Sequence, residues 1–305
     1  MRRPIRSRAV GAVLVALALV VSACGDDGSG DGTKEGPTIT VGSFDFGESV
    51  ILGEIYAQAL EAAGYPVSRA FNLGTRDVVN PALKSGEVDL IAEYTGSLLF
   101  FKRGTPSADN AATYAAMAAA IADDGLVALA YAPAEDKNGF VVTAETAAAL
   151  GVTKVSDLAA YNGTLILGGP TECPDRPLCL PGLQEVYGLD FASFRPLDAA
   201  GPITVAALEG GEIDVAVLFT SDGMIAAKGF VLLEDDRNLQ PAENIVPITT
   251  DEIIAAYGDD LVALLNAVTA AITTAELSEL NKSYSIDATD ADTLARQWLE
   301  DHGFI

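Results

Sequence analysis

Hydrophobic and polar positions along this chain alternate between strand-like and helix-like periods. Thr38-Ile39-Thr40-Val41-Gly42 is a strand-length apolar segment closed by glycine. Glu48 to Gly64 follows, with Ile51, Ile55, Ala59, Leu60 and Ala63 on a helical period. Thr164-Leu165-Ile166-Leu167-Gly168 echoes the first segment and leads into a helical stretch from Leu180 to Gly188. A longer echo aligns without a gap: Ala82 to Thr95 matches Ala207 to Thr220. Each copy reads as a helix end, a Gly-Glu turn and a short buried strand that closes on an aromatic followed by threonine. The order strand, helix, strand therefore occurs twice, which predicts an α/β architecture of two lobes, each a mainly parallel sheet flanked by helices. Helical patterns from Asp251 to Ala275 and from Ala288 to Asp301 have no counterpart in the second half. They are expected to return to the first lobe and make it discontinuous.

Ligands in open parallel sheets gather beyond the carboxyl ends of the strands, where Tyr94-Thr95 and Phe219-Thr220 fall. A single aromatic at a strand end is ordinarily a core residue. The matched placement of these two points instead to rings facing each other across one cleft.

Composition adds where the chain works. Arg2, Arg3, Arg6 and Arg8 precede an uncharged run from Ala9 to Ala23, the layout of an export signal and shorter than the ~20 residues of an ordinary membrane span. Val21-Ser22-Ala23-Cys24 resembles a bacterial lipobox, so Cys24 is expected to become a lipidated N-terminus, with residues 24–36 as a Gly/Asp-rich flexible tether. The formal charge of −25 argues against nucleic acid, whose phosphates require clustered Lys and Arg. Cys173 and Cys179 are two thiols in an exported chain and are expected to be bridged, stiffening the segment that carries Arg176. His302 is the only histidine, so neither a zinc site nor a cofactor is expected.

Four stretches carry a resemblance to a known family: Val41-Gly42-Ser43 with Glu48 and Ile51-Leu52, Asn72-Leu73-Gly74-Thr75, Gly86-Glu87-Val88-Asp89 with Glu93-Tyr94-Thr95-Gly96, and Ser221-Asp222-Gly223 with Leu233-Glu234-Asp235-Asp236. The chain from about Ile39 onward resembles the substrate-binding proteins of ABC importers for the osmoprotectants glycine betaine, choline and carnitine. That resemblance implies a type II periplasmic-binding-protein clamp, with residues 37–137 plus 246–305 as one lobe and 138–245 as the other. Crossovers near Lys137 to Val141 and Glu243 to Ile248 would form the hinge. It also implies a box of aromatic rings around a quaternary ammonium. Tyr94 matches one ring and Phe219 stands for a second, while Arg176 matches an arginine that meets a carboxylate. Asn138 and Glu243 stand where two further rings belong, and Phe44 replaces a lysine. The ligand set carried forward is Tyr94, Thr95, Phe219, Thr220, Arg176, Asp136, Asn138, Phe44, Asp45, Ser97 and Glu243. An amine or polyol that pairs with Asp136, Asn138 or Glu243 is the alternative ligand.

The implied protein is monomeric, works with permease subunits, and sits on the outer face of the cell membrane. A ligand-sensing lipoprotein would look the same. An exported acid/base enzyme using Asp136 and Glu243 is disfavoured, because the sequence offers no Ser/His/Asp set, cysteine nucleophile, phosphate loop or metal cluster. Gly74-Thr75-Arg76-Asp77 is expected to be a plain helix start capped by Thr75, Arg69 and Arg76 to be solvated, and Trp298 to pack.

Overall fold

The structure is a computed structural model that describes residues 34–305; the leader, most of the tether and Cys24 lie outside the described residues. The first part of the chain forms β1 (Ile39–Gly42), α1 (Gly47–Ala62), β2 (Val67–Ala70), α2 (Arg76–Ser85), β3 (Leu90–Tyr94), α3 (Thr95–Phe101), α4 (Asn110–Ala122) and β4 (Leu126–Ala128). The middle forms β5 (Asn138–Val142), α5 (Ala144–Leu150), β6 (Ile166–Pro170), α6 (Leu180–Tyr187), β7 (Ser193–Leu197), α7 (Pro202–Glu209), β8 (Val215–Phe219), α8 (Gly223–Lys228) and β9 (Val231–Leu232). The chain ends with β10 (Ile245–Thr250), α9 (Asp251–Tyr257), α10 (Asp259–Ala271), α11 (Thr274–Ser285) and α12 (Ala291–Asp301).

These strands form two five-stranded sheets, ordered β2-β1-β3-β10-β4 and β7-β6-β8-β5-β9. In each sheet one strand, β10 or β5, runs antiparallel to both neighbours, and the other strands share one direction. The reversed strand is in each case the first one laid down after the chain crosses from the other sheet. A strand that arrives without a crossover helix is free of the rule that keeps strand-helix-strand units parallel.

The internal repeat is visible as matched hydrogen bonds. Asp89 exchanges two with Thr40, N–H to Thr40 O at 2.8 Å and Thr40 N–H to its carboxylate at 2.8 Å. Asp214 does the same with Ile166, at 2.9 and 2.8 Å. Gly86 and its aligned partner Gly211 both adopt positive φ, 74° and 68°, where a side chain would be strained.

The threonines that close the repeat hold the crossovers. Thr95 donates its N–H to Asn244 O at 3.0 Å and accepts the Asn244 N–H on Oγ1 at 3.1 Å. Thr220 donates to Lys137 O at 2.8 Å and accepts from Lys137 N–H at 3.0 Å. The two crossing segments also pair with each other, Glu135 opposite Asn244. They overlap the start of the ranges expected for a hinge, Lys137 to Val141 and Glu243 to Ile248, whose remainder is committed to strands Asn138–Val142 and Ile245–Thr250.

α1 is buried almost all round, so its apolar pattern is not confined to one stripe. Ile51, Leu52, Ile55 and Leu60 share one core with Leu261, Leu265, Val268, Leu277 and Leu299 of the tail. Burying each such side chain fully stabilises by roughly 1.5–3 kcal/mol. The tail departs from its expected two helices: Gly258, at φ 67°, breaks the first pattern, and a capping box of Thr273 with Glu276 starts α11. Trp298 packs as expected, stacked on His302. Cys173 and Cys179 are bridged.

α11 also reaches the second sheet, lying against α8, where Gly223 touches its backbone. A Cβ on Gly223 would fall 2.6 Å from the Asn281 carbonyl carbon, closer than real atoms pack. Gly223→Ala should therefore lower stability by roughly 1–3 kcal/mol as this backbone contact is forced apart. Urea denaturation of both proteins measures it, and an unchanged midpoint would refute the contact.

Candidate functional site

The loop between β1 and α1 carries two rings. Ser43 ties it down by accepting the Asn72 N–H on its hydroxyl at 2.9 Å, and Phe44 N–H is accepted by Ser49 Oγ at 2.9 Å. Phe44 and Phe46 stack, with centroids 5.8 Å apart and planes 7° from parallel, and Phe46 meets Tyr94 at 6.1 Å. With Phe219 from the end of β8, these rings line a cavity of ≈ 330 Å³ beside the crossovers. Phe219 remains 43% exposed, so its face is open to the cleft. Polar lining comes from Asp45, Thr75, Arg76, Ser97 and Asp136.

Carboxylates dominate behind and within this wall. Glu48 is buried; it accepts the Tyr94 hydroxyl at 2.7 Å and the Asn281 side-chain amide at 2.6 Å. The same Asn281 amide reaches Ser221 O at 2.8 Å, so one residue joins the first sheet's carboxylate to the second sheet's strand end. Asp136 borders the cavity, yet its Oδ1 is sealed from solvent without a donor. Glu243 is held by Ser97, through N–H at 3.0 Å and Oγ at 2.8 Å. Arg76 lies over the Phe44 ring and forks onto buried Glu93 at 2.9 and 2.8 Å. Burial raises the pKa of Glu48 against its hydrogen bonds. Burial, then the charge of Glu48, hold Asp136 well above the ordinary carboxylate range. Burial likewise raises Glu243.

Of the residues singled out in the sequence, Phe44, Asp45, Tyr94, Ser97, Asp136 and Phe219 come together around the cavity. Thr95 and Thr220 are instead spent on the crossovers. Glu243 stands behind Ser97. Asn138 lies opposite Phe219 in the strand pair and borders a smaller hollow with Pro170 and Ala200. Arg176 is away from the cavity wall, with its side chain 67% exposed and 3.6 Å from Glu172.

Three expectations need correction. Arg76 is not solvated but pinned by Glu93 in the cavity wall, and Arg69 is paired with Glu54 and Glu61. Thr75 makes no side-chain cap; it lines the cavity instead. Phe46 went unnoticed because a ring in a loop two residues after another carries no periodic signal.

Comparison with known proteins agrees with this geometry. Residues 37–301 match the family model described as the substrate binding domain of ABC-type glycine betaine transport system. The chain is 30% identical to the glycine betaine-binding protein YehZ of Escherichia coli over 87% of its own length and 91% of that protein. It is 27% identical to a glycine-betaine-binding protein of Pseudomonas aeruginosa, covering 89% and 90%. Among solved structures, one titled as a glycine betaine/carnitine/choline ABC transporter superimposes with a TM-score of 0.82 at 24% identity, over 88% of this chain and 99% of the other. At that identity the likeness establishes the fold: a two-lobed α/β clamp.

The raised Asp136 carboxyl has a consequence for stability. Its folded pKa lies above the unfolded one, so the stability it contributes is complete below the unfolded value, about 4, and is lost as pH rises through the folded value. Glu48, Glu243 and Tyr94, the titratable groups facing it, act in the same direction. Asp136→Asn should therefore match the wild type near pH 4 and become progressively more stable than it toward pH 8, without ligand. Denaturant midpoints across that range measure the gap, and a gap that stays flat or closes would contradict the assignment.

Proposed function

The chain belongs to the family of substrate-binding domains of ABC-type glycine betaine transport systems, and from that premise we propose that it captures one small quaternary-ammonium osmoprotectant in the cavity at its hinge. It is a solute-binding protein of an importer, working outside the cytoplasm and delivering its ligand to permease subunits. A methylated ammonium cannot donate a hydrogen bond, so rings are its natural partners. The observation that carries the reading is the convergence of Phe44, Phe46, Tyr94 and Phe219 on one cavity between the two sheets.

Closure follows from where these rings are mounted. Phe44, Phe46 and Tyr94 belong to the first lobe and Phe219 to the second, so a ligand contacts all of them only when the lobes approach. Ligand contact energy then favours the closed form, and the permease distinguishes loaded from empty protein by shape. Asn281, bonded to both Glu48 and the Ser221 carbonyl, is placed to register that approach. The protein acts as a monomer held to the outer face of the membrane by acylated Cys24, with residues 24–36 as tether.

Titration with glycine betaine, choline, carnitine and proline betaine, followed by tyrosine fluorescence, tests the reading. Saturable one-to-one binding of at least one is expected, and Phe219→Ala should weaken it about tenfold through loss of one cation–π face. No response to any of the four would remove the osmoprotectant assignment.

A further inference from the structure

The charges around the cavity do not balance. Asp45 and Asp136 line it, and Glu48 and Glu243 stand directly behind. Among the described residues Arg76 supplies the wall's one cationic side chain, and buried Glu93 neutralises it by accepting from its Nε and Nη2. Lys137, beside Asp136 in the chain, turns its ammonium to Glu135 at 2.9 Å. Arg176 faces Glu172 outside the wall. The start of α2 offers a partial positive charge through Gly74 and Thr75, and Asp77 in its first turn offsets that.

We infer that Asp136 is a specificity-determining residue that makes this cleft take a net cation of the choline type in preference to a zwitterion such as glycine betaine. This rests on the osmoprotectant reading and deepens it. A monocation favours the ionised forms of Asp136 and Glu48 that burial otherwise disfavours, so the charge pairing is made on binding, in a partly desolvated site where it is strong. It need not touch the sealed Oδ1, because the attraction acts over several ångströms. A zwitterion brings the same ammonium together with a carboxylate, which must then sit against a wall of carboxylates with no unpaired cation to receive it. The rings cannot make this distinction, since both ligands carry the same trimethylammonium head. The acidic wall can.

Calorimetric titration separates the terms with three probes: choline, glycine betaine, and the neutral carbon isostere of choline, in which a tert-butyl group replaces the trimethylammonium. Choline should bind at least about tenfold more tightly than either of the others. Asp136→Asn should erase most of that advantage and leave the isostere within about twofold of its wild-type affinity. The wild-type comparison stands by itself should the variant fold poorly, which circular dichroism would reveal. Glycine betaine binding as tightly as choline, or choline binding indifferent to Asp136→Asn in folded protein, would overturn the role of Asp136 while leaving the importer function intact. Silence from all three probes would sink both.

Discussion

Two threonines fix the geometry on which everything else depends. Thr95 and Thr220 each close a strand and each exchange a pair of hydrogen bonds with the crossover that passes beside it. Those bonds are short-range and directional, so they hold each crossover against its own sheet while leaving the sheets joined by little else than two paired segments and α11. In the proposed reading, rotation about these segments would open and shut the cavity placed beside them. The strand-end rings Tyr94 and Phe219 precede the threonines by one residue, which sets them on opposite sides of that cavity.

Burying several carboxylates in one place is costly unless each finds a partner. Glu93 has Arg76, Glu243 has Ser97, and Glu48 has Tyr94 and Asn281. Asp136 is left with an unpartnered oxygen. That unpartnered oxygen belongs to a residue at the edge of a ring-lined cavity. The same network joins the cavity to both lobes: Tyr94 bonds Glu48, and Glu48 shares Asn281 with the Ser221 carbonyl of the other lobe.

Much of this was legible beforehand, because duplication leaves its register in the sequence. The gapless match of residues 82–95 with 207–220 located both strand ends and both ring-threonine pairs. What it could not show was which member of each pair lines the cavity. A threonine after an aromatic looks like a ligand contact until its crossover partners, Asn244 and Lys137, are brought beside it from far along the chain. Arg76 was misread for the same reason: its partner Glu93 is on a strand, and nothing local distinguishes a pinned arginine from a solvated one. α11 left little periodic signal because it is mostly polar, with Leu277 and Leu280 its buried apolar positions, while α9 and α10 share an apolar pattern that Gly258 divides.

The central claim is that one ammonium is held between rings from both lobes while the threonine-pinned crossovers rotate as units. A crystal structure with choline bound tests it most directly. The account predicts the ammonium between Tyr94 and Phe219, with Phe219 buried and the Thr95–Asn244 and Thr220–Lys137 hydrogen bonds intact. Choline seated away from these rings, or a closed form in which those hydrogen bonds are broken, would contradict it.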